Sequence, residues 1–493
     1  MIVPDQPTGT SEQLTLQVAD ETFRDGPQSL WANRLRTRDM LPAASHAAGA
    51  GFTRSNLLSG VGFEVAVSFL EENPLTRFRL LRELMGETPS TILVRSRNLF
   101  GWTRYSDDVV TFFLEHLAGL GLDEFEVFDA LNDTRNVEHH IREGRRLGMH
   151  TSACLTFSES PVHTDEYFAT KAKEYASYGA SGILLYDACG VLRPERVAPL
   201  VTAIRNAAPG IPVEMNVHDQ TGLALACYRE ALRNGVTALS SAARSVAGSN
   251  SVPATADLIA LAREEGVRVD LDEDEVAWMD SYFRYVAYDY GKDLAPHVDH
   301  DEDTYRSYVG HQIPGGMMSH YVGQLEGLGL IDRLPEVLEE AARVRVDLGC
   351  PGMVTPFSQL VGVQAMLNVL DGKRFHTVPA DLRTYAAGHY GEPPGPIHPD
   401  VLDKILGDEP VVDPMAAYAD PMLPAIRAGL PADASDDDVF FALFCQPAQV
   451  EAMQRRPADE LPVRELSPLG ALVGHLAGRD DISRLDVRVD AGR

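Results

Sequence analysis

The sequence predicts an α/β chain: a (β/α)8 barrel followed by a mostly helical region. Three observations predict it. Between residues 14 and 243 eight short β-rich runs recur at a spacing of about 30 residues. Segments with helical apolar spacing separate those runs. No GxGxxG follows the first run, which weighs against a doubly wound open sheet, the alternative that rhythm alone allows.

In chain order the predicted strands are LTLQVAD (14–20), TRSNLL (53–58), TILVR (91–95), EFEVF (124–128), TSACLT (151–156), GILLYD (182–187), PVEMNV (212–217) and ALSSAA (238–243). Among the intervening helices, DDVVTFFLEHLAGLG (107–121) and DEYFATKAKEYASYG (165–179) each run to the glycine that a helix C-terminus favours. From about residue 255 the pattern turns helical, as in EDEVAWMDSYFRYVAYDYG (273–291) and RLPEVLEEAARVRVDLG (333–349). GHYGEPPGPIHP (388–399) reads as a structured turn or linker. SDDDVFFALF (435–444) places a serine N-cap before an acidic first turn. The expected organisation is a barrel over 14–255, a helical domain over 256–455 and a tail over 456–493.

The chain has 493 residues, of which 44% are hydrophobic, enough for a sizeable core. Acidic residues outnumber basic ones 72 to 43, a net charge of −29. That balance argues against binding to nucleic acid and to an anionic membrane surface. No apolar run reaches the roughly 18 residues a membrane span needs. MIVPDQPTGTSEQ at the start lacks the basic and apolar regions of a signal peptide. Five cysteines are scattered singly with no CxxC, so a reducing cytoplasm is expected. Only five lysines occur: Lys171, Lys173, Lys292, Lys373 and Lys404.

A barrel places its chemistry at the C-terminal ends of its strands. Asp25 after the first strand and His218 at the end of the seventh are the best candidates for metal ligands. Asn216, two residues before His218, faces the same way and offers an amide oxygen. The alternative is that these residues only hydrogen-bond in the barrel mouth. Arg24, Arg95 and Arg97 suit a carboxylate or phosphate clamp, or salt bridges to Asp129, Asp133 or Asp187. Cys189 after the sixth strand is either a nucleophile or a buried structural thiol.

The motif ADETFRDGPQSLWANRLRTRDMLPAA (19–44) resembles the opening motif of the biotin-dependent carboxyltransferases. That family includes the carboxyltransferase domain of pyruvate carboxylase, the α subunit of oxaloacetate decarboxylase and the 2-oxo-acid subunit of transcarboxylase. Further matches are GFEVAVSFLEENP (62–74), RNLFGWTRYSDDVV (97–110), FDALND (128–133), SPVHTDEYF (160–168) and HDQTG (218–222). Past the barrel come HQIPGGMMSH (311–320), DLGCPGMVTPFSQLVGVQAMLNVL (347–370) and HYGEPPGPI (389–397). The resemblance covers roughly residues 14–455. It implies a TIM barrel with a divalent metal (Zn, Mn or Co class) and a helical funnel domain that shapes its mouth.

The resemblance also implies roles. The family's metal aspartate falls on Asp25, its substrate arginine on Arg24 and its glutamine on Gln28. Of its two metal histidines only His218 is kept, and the other falls on Asn216. The carboxylated, metal-bound lysine falls on Tyr186. An arginine that holds the 2-oxo acid falls on Glu126. The threonine that shuttles a proton between biotin and substrate falls on Asn250. The expected catalytic residues are therefore Arg24, Gln28, Tyr186 and Asn250. The expected substrate contacts are Arg24, Gln28, Arg95, Arg97, Glu126 and Cys189.

Four replacements in one constellation, with Arg24, Asp25, Gln28 and His218 intact, imply a pocket re-tooled for an acceptor other than pyruvate. The alternatives are a biotin-independent metal lyase or aldolase on the same barrel, a non-catalytic component of a carboxylase complex, or an ordinary carboxyltransferase that tolerates the changes. No lysine has the methionine neighbour typical of a biotinylation site, and the tail lacks a strand-rich biotin-carrier domain. Biotin is expected on a separate carrier protein. The expected partners are a small-molecule substrate, carboxylase subunits and further copies of the chain.

Overall fold

The computed structural model describes residues 14–455 apart from 102, 328 and 417–419. Eight strands close a parallel barrel in the order β1 to β8. They are β1 (Gln17–Asp20), β2 (Arg54–Ser59), β3 (Ser90–Arg95), β4 (Glu124–Phe128), β5 (His150–Thr156), β6 (Gly182–Asp187), β7 (Val213–Val217) and β8 (Ala238–Ser241). Each predicted run holds a strand, with ends that shift by three residues at most. β1 pairs with both β2 and β8, which leaves no free edge.

Local chemistry sets the helices between strands. The Thr164 side chain accepts from the Tyr167 N–H to cap the helix Asp165–Tyr178. That helix ends on Gly179 at φ 98°, a left-handed conformation that suits a residue without a Cβ. The predicted serine cap also forms: Ser435 and Asp438 make a reciprocal capping box on Asp436–Phe444. Phe440 on this helix stacks on Phe113 at 5.7 Å between ring centroids, and Phe113 meets Phe100 edge-on at 5.0 Å. Aromatic pairs of this kind add about 1 kcal/mol each beyond their buried area, so they fasten the last helices to the barrel wall.

The N-terminal end of the barrel is filled with charge. Arg54 at the start of β2 pairs with Glu126 on β4 and Glu214 on β7, and Glu124 lies 3.9 Å away. Asn56 donates to Glu126 at 3.2 Å. The opposite end is covered by elements that follow the barrel. The helix Gly315–Gly327 contacts Asp25–Trp31 and also packs on Phe357–Asp371. There the Tyr321 hydroxyl donates to the Ser358 carbonyl at 2.7 Å. A Cβ at Gly362 would overlap the Tyr321 ring, so this crossing requires glycine. No helix among the described residues is long and apolar enough to cross a membrane.

Candidate active site

A cavity of about 430 Å³ opens at the C-terminal ends of the strands. Gln28, Arg95, Tyr186, His218 and Asn250 all line it. These residues come from the helix Asp25–Trp31 after β1, the end of β3, the end of β6 and the loops after β7 and β8. Leu93, Phe128 and Val354 supply apolar wall, and Met317 reaches in from the covering helix.

Most of these polar groups are anchored. Gln28 Oε1 accepts from the Ser59 hydroxyl at 2.7 Å. The Arg95 guanidinium donates to the Gly101 carbonyl at 3.1 Å and lies 3.7 Å from Glu64. Tyr186 is 5% exposed, and its ring meets the His218 imidazole edge-on at 6.3 Å. Among the described residues no hydrogen bond is made by its hydroxyl, which leaves that group to a ligand. Burial pushes the phenol further above its ordinary range. Asn250 lies against the first residue of the covering helix: a Cβ on Gly315 would come within 2.1 Å of the Asn250 amide nitrogen.

Directly beneath the cavity lies an ion-pair chain. Arg24 Nη1 donates to Asp25 Oδ1 at 2.8 Å, and Arg24 Nη2 lies 2.7 Å from Glu21. Asp25 Oδ2 is 3.1 Å from His218 Nε2 and accepts from the Ser251 hydroxyl at 3.3 Å. Burial works to raise the Asp25 carboxyl, but the charges of His218 and Arg24 outweigh it and hold it at about 2. Asn216 is the register partner of Tyr186 across β6 and β7, and its amide N–H points to Glu21 at 3.5 Å.

Four expected substrate contacts do not line the cavity. Glu126 is 1% exposed and is held by Arg54 and Asn56, with Arg24 at 3.8 Å. It is an interior counter-ion and presents no charge to a ligand. Arg97 turns to Asp107 at 2.7 Å and the Tyr105 carbonyl at 3.4 Å. The Cys189 thiol is buried against the Gln312 and Met353 carbonyls, and burial pushes it above the usual thiol range. Arg24, expected to touch substrate, lies under the cavity floor at 1% exposure.

Of the expected metal ligands, His218 Nε2 lies 3.1 Å from Asp25 Oδ2, and both it and Asn216 Oδ1 are buried without a hydrogen-bond partner, so both keep a lone pair for a cation. Each Asp25 oxygen accepts one hydrogen bond, from Arg24 or from Ser251, and keeps a further lone pair. Arg24, paired with Asp25, places a positive charge beside these donors and works against a cation there. Tyr186 offers a phenol, which must lose a proton of ordinary pKa about 10 before it ligates. Among the described residues no three His, Cys, Asp or Glu side chains are placed to hold a metal.

Sequence reasoning missed the covering residues Pro314, Gly315, Met317, Val354, Thr355 and Ser358. Their signal was present in the motifs HQIPGGMMSH and DLGCPGMVTPFSQL, which lie outside the strand ends where barrel logic searches. It also missed Arg54, Glu21 and Glu214. Nothing in their spacing distinguishes them from ordinary strand residues.

Comparison with known proteins adds to this geometry. The family described as "Conserved carboxylase domain" matches residues 309–484, and that described as "HMGL-like" matches 128–280. One pyruvate carboxylase polypeptide of Methanothermobacter thermautotrophicus is 36% identical over 398 residues, which cover 81% of this chain and 69% of that protein. The 2-oxoglutarate carboxylase large subunit of Hydrogenobacter thermophilus is 33% identical, covering 90% of this chain and 70% of that protein. The carboxyl transferase domain of Rhizobium etli pyruvate carboxylase, solved with pyruvate and biocytin, superposes with a TM-score of 0.82 at 26% identity, covering 90% of this chain and 78% of that one.

Proposed function

We propose, from the premise that this chain belongs to the carboxyltransferase family of biotin-dependent carboxylases, that it transfers a carboxyl group to or from a small acceptor seated in the barrel-mouth cavity. The carboxyl arrives on biotin carried by a separate protein. The observation that carries this reading is the convergence of Gln28, Arg95, Tyr186, His218 and Asn250 on one cavity.

Arg95 is the cationic fork on that wall and suits an acceptor carboxylate. The apolar wall of Leu93, Phe128 and Val354 keeps water from the transferred group. In the net step the N–C bond of carboxybiotin breaks, a bond to the acceptor forms, and the acceptor's displaced proton goes to the biotin nitrogen. Asn250 holds hydrogen bonds but, unlike a hydroxyl, does not relay that proton. We assign that relay to the Tyr186 hydroxyl, which lines the same cavity.

The acceptor we propose is a carbonyl- or amine-bearing carboxylate other than pyruvate. A reversed charge at Glu126 no longer supports this, since Glu126 does not face the cavity. The support is the lining itself, where Tyr186 and Asn250 replace the lysine and threonine expected of the family.

The test is turnover of the full chain with pyruvate, oxaloacetate and amine-bearing analogues, each with and without carboxybiotin. Turnover is expected only with carboxybiotin. Arg95→Gln is expected to raise KM about tenfold or more, the scale of one charge-assisted hydrogen bond. Turnover without carboxybiotin would instead identify a lyase. No turnover with any acceptor would identify a structural component.

A further inference from the structure

We propose that His140, buried behind the barrel wall, is a positioning residue for the acceptor: it holds the turn after β3 in the strained shape that keeps Arg95 at the cavity. This rests on Arg95 receiving the acceptor's carboxylate. The turn is the first ground. Ser96 and Leu99 both have left-handed backbone, at φ 32° and 51°, and neither is glycine. A Cβ disfavours that region, and such strain persists only where the surroundings hold it. The shape matters because the turn closes on Arg95 itself. The Leu99 N–H donates back to the Arg95 carbonyl at 3.0 Å. The Gly101 carbonyl, two residues on, accepts from Arg95 Nη1 at 3.1 Å. From another side, a Cβ at Gly60 would come within 3.2 Å of Arg95 Nη2. The guanidinium is thus set between Gly60 and Gly101, and a shift of the turn shifts it.

The second ground is what holds the turn. The helix Arg135–Leu147 packs against Ser96–Asn98. His140 faces inward from that helix, in line with Asn136 and Gly144, and is fully buried. Its Nε2 lies 2.8 Å from the Ser96 carbonyl oxygen. A carbonyl only accepts, so Nε2 carries the proton and donates. Nδ1 is buried without a hydrogen-bond partner. An imidazole that leaves one nitrogen unpaired in the interior is costly, and an apolar side chain would fill the same space without that cost. What the imidazole adds is the bond to Ser96. Burial, with the charges of Arg97 and His139, holds its pKa well below the ordinary range, so the ring stays neutral beside Arg97.

The test uses the full chain and two variants. His140→Phe keeps a ring in place and removes the donor, while His140→Gln keeps an N–H donor. One readout needs no ligand: backbone hydrogen exchange over residues 95–101, followed by mass spectrometry. The other is KM and kcat with carboxybiotin and whichever of pyruvate, oxaloacetate and amine-bearing analogues wild type turns over best. In His140→Phe, exchange over 95–101 is expected to quicken about tenfold or more, with β6 and β7 unchanged. KM is expected to rise about tenfold with kcat nearly unchanged, as for lost binding of the acceptor. His140→Gln should return both readouts toward wild type. In an Arg95→Gln background, His140→Phe should add no further rise in KM, because it acts through Arg95.

Unchanged exchange over 95–101 in His140→Phe would overturn the proposal. So would an equal rise in KM in the Arg95→Gln background, or a His140→Gln variant no better than His140→Phe. Where His140→Phe does not fold, His140→Asn, whose shorter amide stops short of Ser96, takes its place. A wild type that turns over no acceptor refutes carboxyl transfer, and the exchange over 95–101 then decides on its own whether His140 holds the turn.

Discussion

Glu126 illustrates how position in a motif and position in space diverge. Read as a replaced substrate arginine, it forecasts repulsion of anionic acceptors, which Glu126→Arg should relieve. In the structure it is the counter-ion of Arg54 inside the barrel. Glu126→Arg would therefore leave Arg54 facing a like charge. The expected loss is about 3–5 kcal/mol of stability, the scale for breaking a buried pair, with no gain in pyruvate turnover. Urea denaturation measures the first and the acceptor assay the second; a stable variant with improved turnover would restore the charge-reversal reading. Asp20 makes a second residue-scale case. Burial raises its carboxyl from 3.8 to about 6, against hydrogen bonds from Thr22 and Ser55. Its folded pKa is above the unfolded value, so the stability it contributes is fully present below about pH 4 and is lost as pH rises through 6. Asn at this position does not titrate. The melting temperature of Asp20→Asn relative to wild type should rise between about pH 5 and pH 7.5. A gap that stays constant or narrows would contradict the assigned shift.

At the scale of elements, the covering helix Gly315–Gly327 controls the site through a contact at its first residue. A side chain at Gly315 would displace Asn250, whose amide lies where that Cβ would go. Gly315→Ala should leave the melting temperature nearly unchanged and lower kcat about ten- to a hundredfold, the scale of a misplaced active-site group. Unimpaired turnover would mean that Asn250 has no part in the reaction. The elements themselves were largely legible beforehand. EFEVF coincides with β4 and GILLYD with β6, because both are short apolar runs bounded by helix-end glycines or acidic turns. Five of the expected site residues line the cavity for a related reason: strand ends and the turns that follow them face the mouth whatever the sequence around them. Arg97 and Cys189 do not line the cavity because a residue just past a strand end sits in a turn whose direction the strand's alternation does not fix. Glu126 is off the lining for a different reason: it lies in the middle of β4, one layer below the mouth.

For the whole molecule, the carrier is the decisive partner. Lys171 and Lys173 lie on the helix Asp165–Tyr178 that flanks the barrel, and no lysine of the sequence neighbours a methionine. Protein purified from its native host should give no avidin-reactive band at its own mass, and a band there would show that this chain carries biotin itself. The residues 456–493, expected to hold no carrier domain, lie outside the described residues.

The Arg54 cluster makes the barrel a blind alley. With its N-terminal end plugged by ion pairs, the cavity is reached from the mouth. Whatever enters last leaves first. A small acceptor must be seated before a bulky tethered group arrives, and a carrier that docks on an empty pocket blocks the acceptor behind it. Ordered addition follows, acceptor then carrier, with excess carrier acting as a dead-end inhibitor that higher acceptor concentration relieves.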